Sequence, residues 1–391
     1  MRILIVHNIL WSHYKSVLFS ALHRLSQKLP GCSVDVVQIA RNEKSRATLP
    51  SAAPDSGSET ADYPYTLLFD QYLEDVGVAA RTKALINHFR NHRPDILYLT
   101  GYYDPAQIAL LLLAKAQGVR VVIQNESTPV DQVRNGLKEW LKSRIIRMAD
   151  GFICFGAPSV QYMRNLGARP EQILVDKSAV VDNDTLLSAY RRALPERETI
   201  RVRLGLRPRN FIFVGRLVLV KNLPFLLSAF KEALSRSNNS GQWGLILLGG
   251  GELQDQLEQQ IRRDNLTEAV RMLPGQPWFR VPEFLALAEV LVLPSVSETW
   301  GLVVNEAMVC GMPVLVSSQC GCSHDLVRQG QNGYVFDPYQ PEELVGRLLS
   351  FMDDSADPEA MGRVSAELIA PFNPNAVARE ILDAFGKLIQ R

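Results

Sequence analysis

Two glutamates around a predicted helix start are the residues of this chain whose spacing best suits chemistry. Glu298 follows the apolar strand segment Val290–Leu293, and Glu306 comes eight residues later. Eight helical residues rise about 12 Å. Gly301 lies between the two acids, where the free N–H groups and the dipole of a helix start favour a phosphate. The pattern predicts a site for a nucleotide-diphosphate-sugar, with one carboxylate at the hexose and the other at the ribose.

Two cations follow another predicted strand. Gly215 permits a ligand to approach the backbone closely, and Arg216 and Lys221 come next in the sequence. Asn222 and Pro224 are suited to the N-cap and the first turn of a helix. Cations are unfavourable beside a helix N-terminus, but a bound diphosphate would make them favourable. A pair of solvated surface cations is the alternative, and the nearby acidic element favours the phosphate site.

A glycine-rich turn follows the next predicted strand. Gly249, Gly250 and Gly251 would let the backbone approach a base or a phosphate. Their spacing differs from the dinucleotide-binding fingerprint, so the turn is weak support by itself. The stretch around Gly275 and Gln276 also follows a strand, and its backbone groups would face a nucleobase.

Composition limits the classes of function. The chain has 391 residues, a length that favours two domains. With 47% hydrophobic and 21% charged residues, its composition is that of a globular protein. The net charge of +1 gives no basis for binding nucleic acid. No cofactor and no metal are expected, because the histidines show no metal spacing and Asp182-Asn-Asp184 fits a linker turn better than a metal site. The five cysteines are predicted to be reduced thiols.

Strand and helix patterns alternate along the chain, which predicts an α/β fold with parallel sheets. The pattern stops near residues 180–185, continues as a polar, arginine-rich segment to about Arg209, and then restarts. This predicts two Rossmann-like domains joined by a linker and facing across a cleft, with ligands at the carboxyl ends of the strands. Residues 41–64 are predicted to be a surface loop. The strand candidates are 3–6, 33–39, 96–99, 119–124, 151–155, 211–214, 244–248, 270–273, 290–293, 313–316 and 333–336.

A basic amphipathic segment covers residues 134–147. It can lie on an anionic membrane surface, although an ordinary packed helix with a basic outer face is the commoner explanation. The longest apolar run, residues 108–114, is too short to span a bilayer. Because the chain begins directly with a buried strand pattern and shows no leader, we expect a cytoplasmic protein, with peripheral contact at the inner face of the membrane through 134–147 as the alternative.

Taken together, these motifs resemble the retaining glycosyltransferases of the GT-B fold, family 4. The resemblance covers most of the C-terminal half, from the Gly-Arg-Leu…Lys-Asn element at 215–222 through Asn332-Gly-Tyr-Val-Phe336. It implies an N-terminal acceptor-binding domain at 1–185, a donor-binding domain at 186–371, and a C-terminal helix at 372–391 that crosses back to the N-terminal domain.

The resemblance also implies roles for single residues. Residues matching Arg216 and Lys221 bind the donor diphosphate, the one matching Glu306 holds the ribose hydroxyls, and the one matching Glu298 contacts the donor sugar. Catalysis is implied for Arg216, Lys221 and Glu298. The implied donor-binding set is Gly215, Arg216, Lys221, Gly249, Gly250, Glu298, Thr299, Gly301, Leu302 and Glu306.

The N-terminal half resembles the family only loosely. Asn8-Ile-Leu-Trp11-Ser12 stands where many members have a glycine-rich turn, and Gln124-Asn125-Glu126-Ser127 stands where many have a histidine near the sugar. Asn8, Asn125 and Glu126 are therefore candidate contacts to the acceptor or the sugar.

The function expected from the resemblance is retaining transfer of a hexose from a UDP- or GDP-sugar to an acceptor hydroxyl. The first candidate acceptor is a lipid-linked saccharide in cell-surface polysaccharide synthesis; a soluble metabolite, a natural product or a sugar phosphate is the alternative. A non-catalytic nucleotide-sugar-binding subunit is the alternative from another class of protein.

Overall fold

The computed structural model describes residues 1–10, 13–44, 62–129 and 136–390. Trp11 and Ser12, most of the predicted 41–64 loop and the start of the basic segment, with Arg134, lie outside the described residues. The chain forms two compact units: unit 1 is Met1–Val181 with Phe372–Arg391, and unit 2 is Asp182–Pro371. The assignment of acceptor and donor binding to separate domains stays a prediction.

Strands of the described residues form two sheets. The strands are β1 (Arg2–Ile9), β2 (Ser33–Asn42), β3 (Tyr65–Tyr72), β4 (Ile96–Leu99), β5 (Arg120–Asn125), β6 (Gly151–Cys154), β7 (Ile173–Val175), β8 (Arg209–Val214), β9 (Trp243–Leu248), β10 (Val270–Leu273), β11 (Val290–Leu293), β12 (Val314–Ser317) and β13 (Gly333–Phe336).

Helices alternate with the strands. They are α1 (His13–Ser26), α2 (Val78–His92), α3 (Pro105–Ala116), α4 (Gly136–Ile146), α5 (Ala157–Asn165), α6 (Asn183–Ala193), α7 (Arg197–Leu204), α8 (Leu223–Arg236), α9 (Gln254–Arg263), α10 (Val281–Leu285), α11 (Leu302–Val309), α12 (Ser323–Leu326), α13 (Pro341–Met352), α14 (Pro358–Ile369) and α15 (Pro374–Gln390).

The sheet of unit 1 has the order β3-β2-β1-β4-β5-β6-β7, and all of its described pairings are parallel. Its two faces carry separate hydrophobic cores, because successive side chains of a strand point to opposite faces. Ile3 and Ile5 belong to the core on the α1 and α15 face, whereas Leu4 and Val6 belong to the core on the α2 and α3 face. Burial on both faces explains the almost continuous apolar runs of these strands.

The sheet of unit 2 has the order β10-β9-β8-β11-β12-β13 and is also parallel. Its first strand, β8, has β9 on one side and β11 on the other. The connections therefore run in opposite directions from β8, which makes its carboxyl end the topological switch point where open α/β sheets bind ligands.

The α/β prediction is confirmed, and every predicted strand overlaps an observed one. Two strands were missed. Strand β3, at the edge of its sheet, is only partly buried and carries the polar residues Asp70 and Gln71, while β7 has only three residues. Neither offers the long apolar run by which the other strands were recognised.

Helices α6 and α7 occupy most of the polar segment that follows residue 182, and the turn predicted at Asp182-Asn-Asp184 is wrong. Asp182 accepts a hydrogen bond from the Thr185 backbone N–H at 3.1 Å and so caps α6. The Asp182-Asn-Asp184 sequence is therefore the start of a helix, where aspartate and asparagine are favoured, and not a free turn.

Helix α15 belongs to unit 1. Its apolar face, with Val377, Ile381 and Phe385, joins the core beneath β1 and α1. The Phe385 ring meets the Tyr98 ring edge-on, with centroids 5.8 Å apart.

Candidate functional site

Loops of unit 2 converge at the carboxyl end of β8. The segment after β8 bonds to the segment after β11, since the Val296 N–H donates to the Val220 carbonyl at 2.9 Å. It also bonds to the glycine-rich turn after β9, where the Leu217 N–H donates to the Gly250 carbonyl at 2.9 Å. Most of the predicted donor residues are thereby brought to one edge of one sheet.

Backbone packing explains most of the glycine-rich turn. A Cβ atom on Gly249 would lie 1.9 Å from the Gly215 carbonyl oxygen, and one on Gly251 would lie 2.5 Å from the Leu217 carbonyl oxygen. Both contacts are far too short for any side chain. Gly250 differs, because a Cβ atom there would meet no atom within 4 Å. Gly249 and Gly251 thus serve contacts between loops, and only Gly250 has open space beside it for a ligand.

The two predicted cations have different surroundings. Arg216 is exposed, and no hydrogen bond or ion pair links its side chain to another residue in the described part of the chain. Lys221 ends a short 3-10 turn, and its ammonium group forms an ion pair with the Glu298 carboxylate. Both side chains of that pair are largely buried, with 15% and 19% of their surfaces exposed. The residues predicted for the phosphate and for the sugar are therefore in direct contact.

Asn222 does not cap helix α8 as predicted. It stands at the N-cap position with φ of 54°, and its side chain makes no capping bond. Its amide instead donates to the Pro338 carbonyl at 3.3 Å. The left-handed conformation, which asparagine tolerates better than most residues, directs the side chain away from the helix.

The segment around Glu298 is extended, so the predicted 12 Å helical rise from Glu298 to Glu306 is wrong. Glu298 pairs with the loop after β12: its N–H donates to the Gln319 carbonyl at 3.3 Å, and its carbonyl accepts from Gly321 N–H at 3.0 Å. Helix α11 begins only at Leu302, after Gly301 with φ of 100°. Thr299 is partly exposed between these two elements. The left-handed glycine lets the chain turn sharply from the extended segment into the helix.

Glu306 lies on helix α11 with part of its side chain accessible, and no ion pair or hydrogen bond within the described chain satisfies its carboxyl group. Burial raises its pKa to about 8. A desolvated carboxyl group without a partner is costly to keep, so such a group is a candidate for ligand binding.

A contact that the sequence interpretation missed fixes the orientation of this helix. The Trp300 indole N–H donates to the Asn305 side-chain oxygen at 2.8 Å, and both residues are buried. The five-residue spacing between an indole donor and an amide acceptor, on either side of the glycine turn, was the available signal.

The three candidate residues of unit 1 lie at the carboxyl edge of its sheet, where Asn8 and Glu126 are partly exposed and Asn125 is buried. Asn125 is buried, and its amide donates to the Ser127 carbonyl and the Ser159 hydroxyl at 2.8 and 2.7 Å. Asn8 accepts a hydrogen bond from the Gln107 amide at 2.5 Å. Glu126 keeps 31% of its side chain exposed. The prediction that Asn125 offers a ligand contact does not fit this burial.

Helix α4 carries the described part of the predicted basic segment. Trp140 and Leu141 are exposed by 54% and 50%, and the Arg144 guanidinium lies 5.2 Å from the Trp140 ring centroid. Lys142 does not belong to the solvated basic face. Its ammonium donates to Glu139 and to the Tyr162 hydroxyl at 2.8 and 3.0 Å.

Within the described residues, no group of three or more His, Cys, Asp or Glu side chains is arranged to hold a metal ion. The five cysteines are free thiols, four of them buried. None of the helices in the described ranges is both long and apolar enough to cross a bilayer.

Sequence comparison matches both halves of the chain to known family profiles. The profile described as Glycosyl transferases group 1 matches residues 196–367, which include all of the predicted donor residues. The profile described as Glycosyl transferase 4-like domain matches residues 20–175.

Curated relatives share about a quarter to a third of the aligned residues. A D-inositol 3-phosphate glycosyltransferase of Streptomyces scabiei (strain 87.22) is 30% identical over 314 residues, which cover 74% of this chain and 68% of the relative. An Alpha-D-kanosaminyltransferase of Streptomyces kanamyceticus is 25% identical over 260 residues, 66% of each protein. In two D-inositol 3-phosphate glycosyltransferases of Rhodococcus, the chain spans about half of the relative, 50% and 45%.

A solved structure shares the fold along nearly the whole chain. Anabaena Alr3699/HepE, solved in complex with UDP, matches with a TM-score of 0.72 and 17% identity, covering 99% of this chain and 100% of that one. At this identity the similarity establishes the GT-B fold alone.

Proposed function

The chain belongs to glycosyltransferase family 4, the glycosyl transferases group 1, whose members are retaining enzymes, and we propose that it transfers a hexose from a UDP- or GDP-sugar to an acceptor hydroxyl. The observation that carries this proposal is the Lys221–Glu298 ion pair beside the start of α11, the helix that bears the unpaired carboxyl group of Glu306. The Lys221 cation and the helix start match the diphosphate of a nucleotide sugar. The two carboxyl groups match the hydroxyl groups of its hexose and its ribose.

In the proposed mechanism the protein works by position and charge. Arg216 binds the diphosphate as a planar fork, and Lys221 exchanges its contact with Glu298 for a phosphate oxygen. The exchange frees the Glu298 carboxylate to accept hydrogen bonds from hydroxyls of the donor sugar. As the bond from the anomeric carbon to the diphosphate breaks, negative charge grows on the leaving oxygen, where the two cations and the α11 dipole stabilise it.

The leaving phosphate takes the proton of the acceptor hydroxyl in this mechanism, so no protein base is required. The acceptor oxygen then bonds to the anomeric carbon on the face that the diphosphate leaves, which retains the configuration. Glu306 would hold the ribose by accepting hydrogen bonds from its two hydroxyls, and Gly250 would lie close to the nucleotide because nothing fills the space beside it.

The proposed location is the cytoplasm, with a peripheral contact at the inner face of the membrane that would suit a lipid-linked saccharide as acceptor. The exposed side chains of Trp140 and Leu141, beside Arg144, support it. Flotation with vesicles that contain anionic lipid tests the contact. We expect the wild type to float with the vesicles and a Trp140→Ala, Leu141→Ala variant to stay behind. Equal behaviour of the two proteins would remove α4 from the contact.

Calorimetric titration with UDP, GDP, ADP and dTDP tests the donor site. We expect one diphosphate to bind clearly more tightly than the other three, and Glu306→Ala to weaken its binding about 10-fold or more, since a hydrogen bond to a charged group contributes about 1.5–3 kcal/mol. Glu367→Ala, which removes an exposed glutamate of the same unit, is the matched control. If none of the four binds, unit 2 has no nucleotide-sugar site. Release of UDP or GDP from the sugar donor, followed in parallel, separates an enzyme from a binding subunit.

A further inference from the structure

A lysine is buried at the carboxyl edge of the unit 1 sheet, where it pairs with Glu126. Lys15, in the first turn of α1, is 2% exposed, and its ammonium group forms an ion pair with Glu126, directly after β5. The same ammonium lies 5.3 and 5.1 Å from the ring centroids of Tyr14 and Phe155. Lysine is almost never fully buried unless it is paired, because removing the ammonium from water costs several kcal/mol. The arrangement therefore needs the carboxylate.

Two neighbours orient the Glu126 carboxylate. Lys15 pairs with its Oε1 atom, and the Tyr14 hydroxyl donates to its Oε2 atom at 3.3 Å. An ionised carboxylate has about four lone-pair positions, and these two contacts use only part of that capacity. Since 31% of the side chain is exposed, the remaining positions are accessible from solvent. Burial lowers the pKa of the Lys15 ammonium, and the nearby Glu126 carboxylate offsets part of that shift.

Neutral polar groups hold the loop that follows Glu126. The Asn125 amide donates to the Ser127 carbonyl at 2.8 Å, and the hydroxyls of Ser127 and Tyr103 are 3.4 Å apart. Tyr103 is 50% exposed. An incoming molecule would therefore meet a carboxylate that two contacts hold in place, followed by a loop that neutral polar groups hold, which suits hydroxyl donors.

We propose that Glu126, held in place by Lys15 and Tyr14, binds the acceptor, and that the acceptor presents uncharged sugar or polyol hydroxyls at this position. This inference rests on the proposed function. Hydroxyl groups donate to a carboxylate, whereas a fully ionised phosphate has no hydrogen to donate and is repelled by the negative charge of the carboxylate. Lys15 offsets part of this repulsion, but its side chain is 2% exposed against 31% for Glu126, so an incoming phosphate would meet the carboxylate first.

Matched pairs of acceptors test the proposal on the full chain. The donor is a sugar nucleotide that carries whichever of UDP or GDP the protein binds. Each acceptor pair consists of a neutral compound and its phosphate monoester, and the neutral compounds are glucose, fructose and inositol. Octyl glucoside represents the end of a lipid-linked sugar. We expect each neutral acceptor to stimulate the release of nucleotide more than its phosphate ester does. Preference for the esters, or no use of any neutral acceptor by a protein that binds nucleotide normally, would overturn the inference.

Variants separate acceptor binding from a structural role of the ion pair. Glu126→Gln should raise the KM for the neutral acceptor about 10-fold or more and leave the affinity for UDP or GDP unchanged. The same variant leaves Lys15 without its partner and should lower the Tm. In Lys15→Met with Glu126→Gln both charges are gone, so the Tm should recover while the acceptor KM stays high. Recovery of both would mean that the pair only stabilises the fold.

Lys15→Met alone tests Lys15 as a positioning residue. Loss of the ammonium frees the carboxylate to move, so we expect a higher acceptor KM with little change in kcat at saturating acceptor. An unchanged KM would exclude Lys15 from positioning Glu126. If no nucleoside diphosphate binds at all, the proposed function fails, and this inference fails with it. If the nucleotide binds normally but the phosphate esters are the preferred acceptors, only this inference is rejected.

Discussion

Lys221→Ala should lower kcat about 100-fold or more while the protein remains folded, because it removes a cation aimed at the charge that develops on the leaving diphosphate. The Lys221 side chain is only 15% exposed and is paired with Glu298 before any donor binds, so its charge is held beside the site and needs only to change partner from the carboxylate to a phosphate oxygen. Arg216→Ala should also reduce turnover. Arg216 is exposed, and no hydrogen bond or ion pair holds its side chain to another described residue, which leaves it to order on binding.

Single-turnover release of UDP or GDP from the sugar donor is the measurement for Lys221→Ala. Lys231→Ala is the matched control, since Lys231 is a half-exposed lysine of the same unit, paired with Asp264 at 3.1 Å, and should leave turnover unchanged. Removing Lys221 also deprives Glu298 of its partner, so thermal unfolding must accompany the kinetics. Lys221→Met with Glu298→Gln removes both charges and should fold like the wild type while staying inactive. Near-normal turnover in both Lys221→Ala and Arg216→Ala would reject the phosphate assignment.

Glu306→Gln should weaken nucleotide binding and stabilise the protein at the same time. The pKa of Glu306 is about 8 in the folded chain, against 4.5 for an ordinary glutamate, and burial is the cause. The folded state therefore holds a proton that the unfolded state releases between pH 4.5 and pH 8. Stability from this group is fully present below pH 4.5 and is lost progressively as the pH rises to 8. At pH 7 the loss is at most about 3 kcal/mol.

Thermal and urea unfolding at several pH values measure that stability effect. Glutamine has no proton to lose, so the free energy of unfolding of Glu306→Gln should exceed that of the wild type near pH 8, and the difference should shrink toward pH 5. Glu367→Gln, on an exposed position of α14, should show neither change. A Glu306→Gln protein less stable than the wild type at pH 8 would mean that the carboxyl group has a stabilising partner.

Nucleotide affinity should follow the opposite trend with pH. Ribose hydroxyls donate to the ionised carboxylate, so binding favours the deprotonated form of Glu306. Between pH 7 and pH 9, where the terminal phosphate of UDP is largely ionised, affinity should rise about 10-fold and level off above the pKa. Calorimetry at pH 7 in buffers of different ionisation enthalpy should detect proton release on binding. A pH-independent affinity, equal to that of Glu306→Gln, would separate Glu306 from the ribose.

Much of the molecule was readable from local sequence patterns. Runs such as Val290–Leu293 and Val270–Leu273 predicted strands with the observed bounds, because burial on both faces of a parallel sheet demands unbroken apolar residues. Gly301 and the residues after it predicted a helix start, since a glycine followed by an apolar stretch is a local sequence feature. The motif spacings also placed the predicted donor residues after strand ends, which is where the structure has most of them.

Tertiary structure decided what those residues do before a ligand arrives. Lys221 and Glu298, 77 positions apart, form an ion pair that neither local sequence contains. Gly249 and Gly251 are required by neighbouring carbonyl groups, and Glu306 is desolvated without a partner. The Lys15–Glu126 pair was missed because a lysine near a helix start reads as a surface residue. Strand and helix propensity depends on neighbours in the sequence, whereas burial, pairing and pKa depend on atoms that only folding brings together.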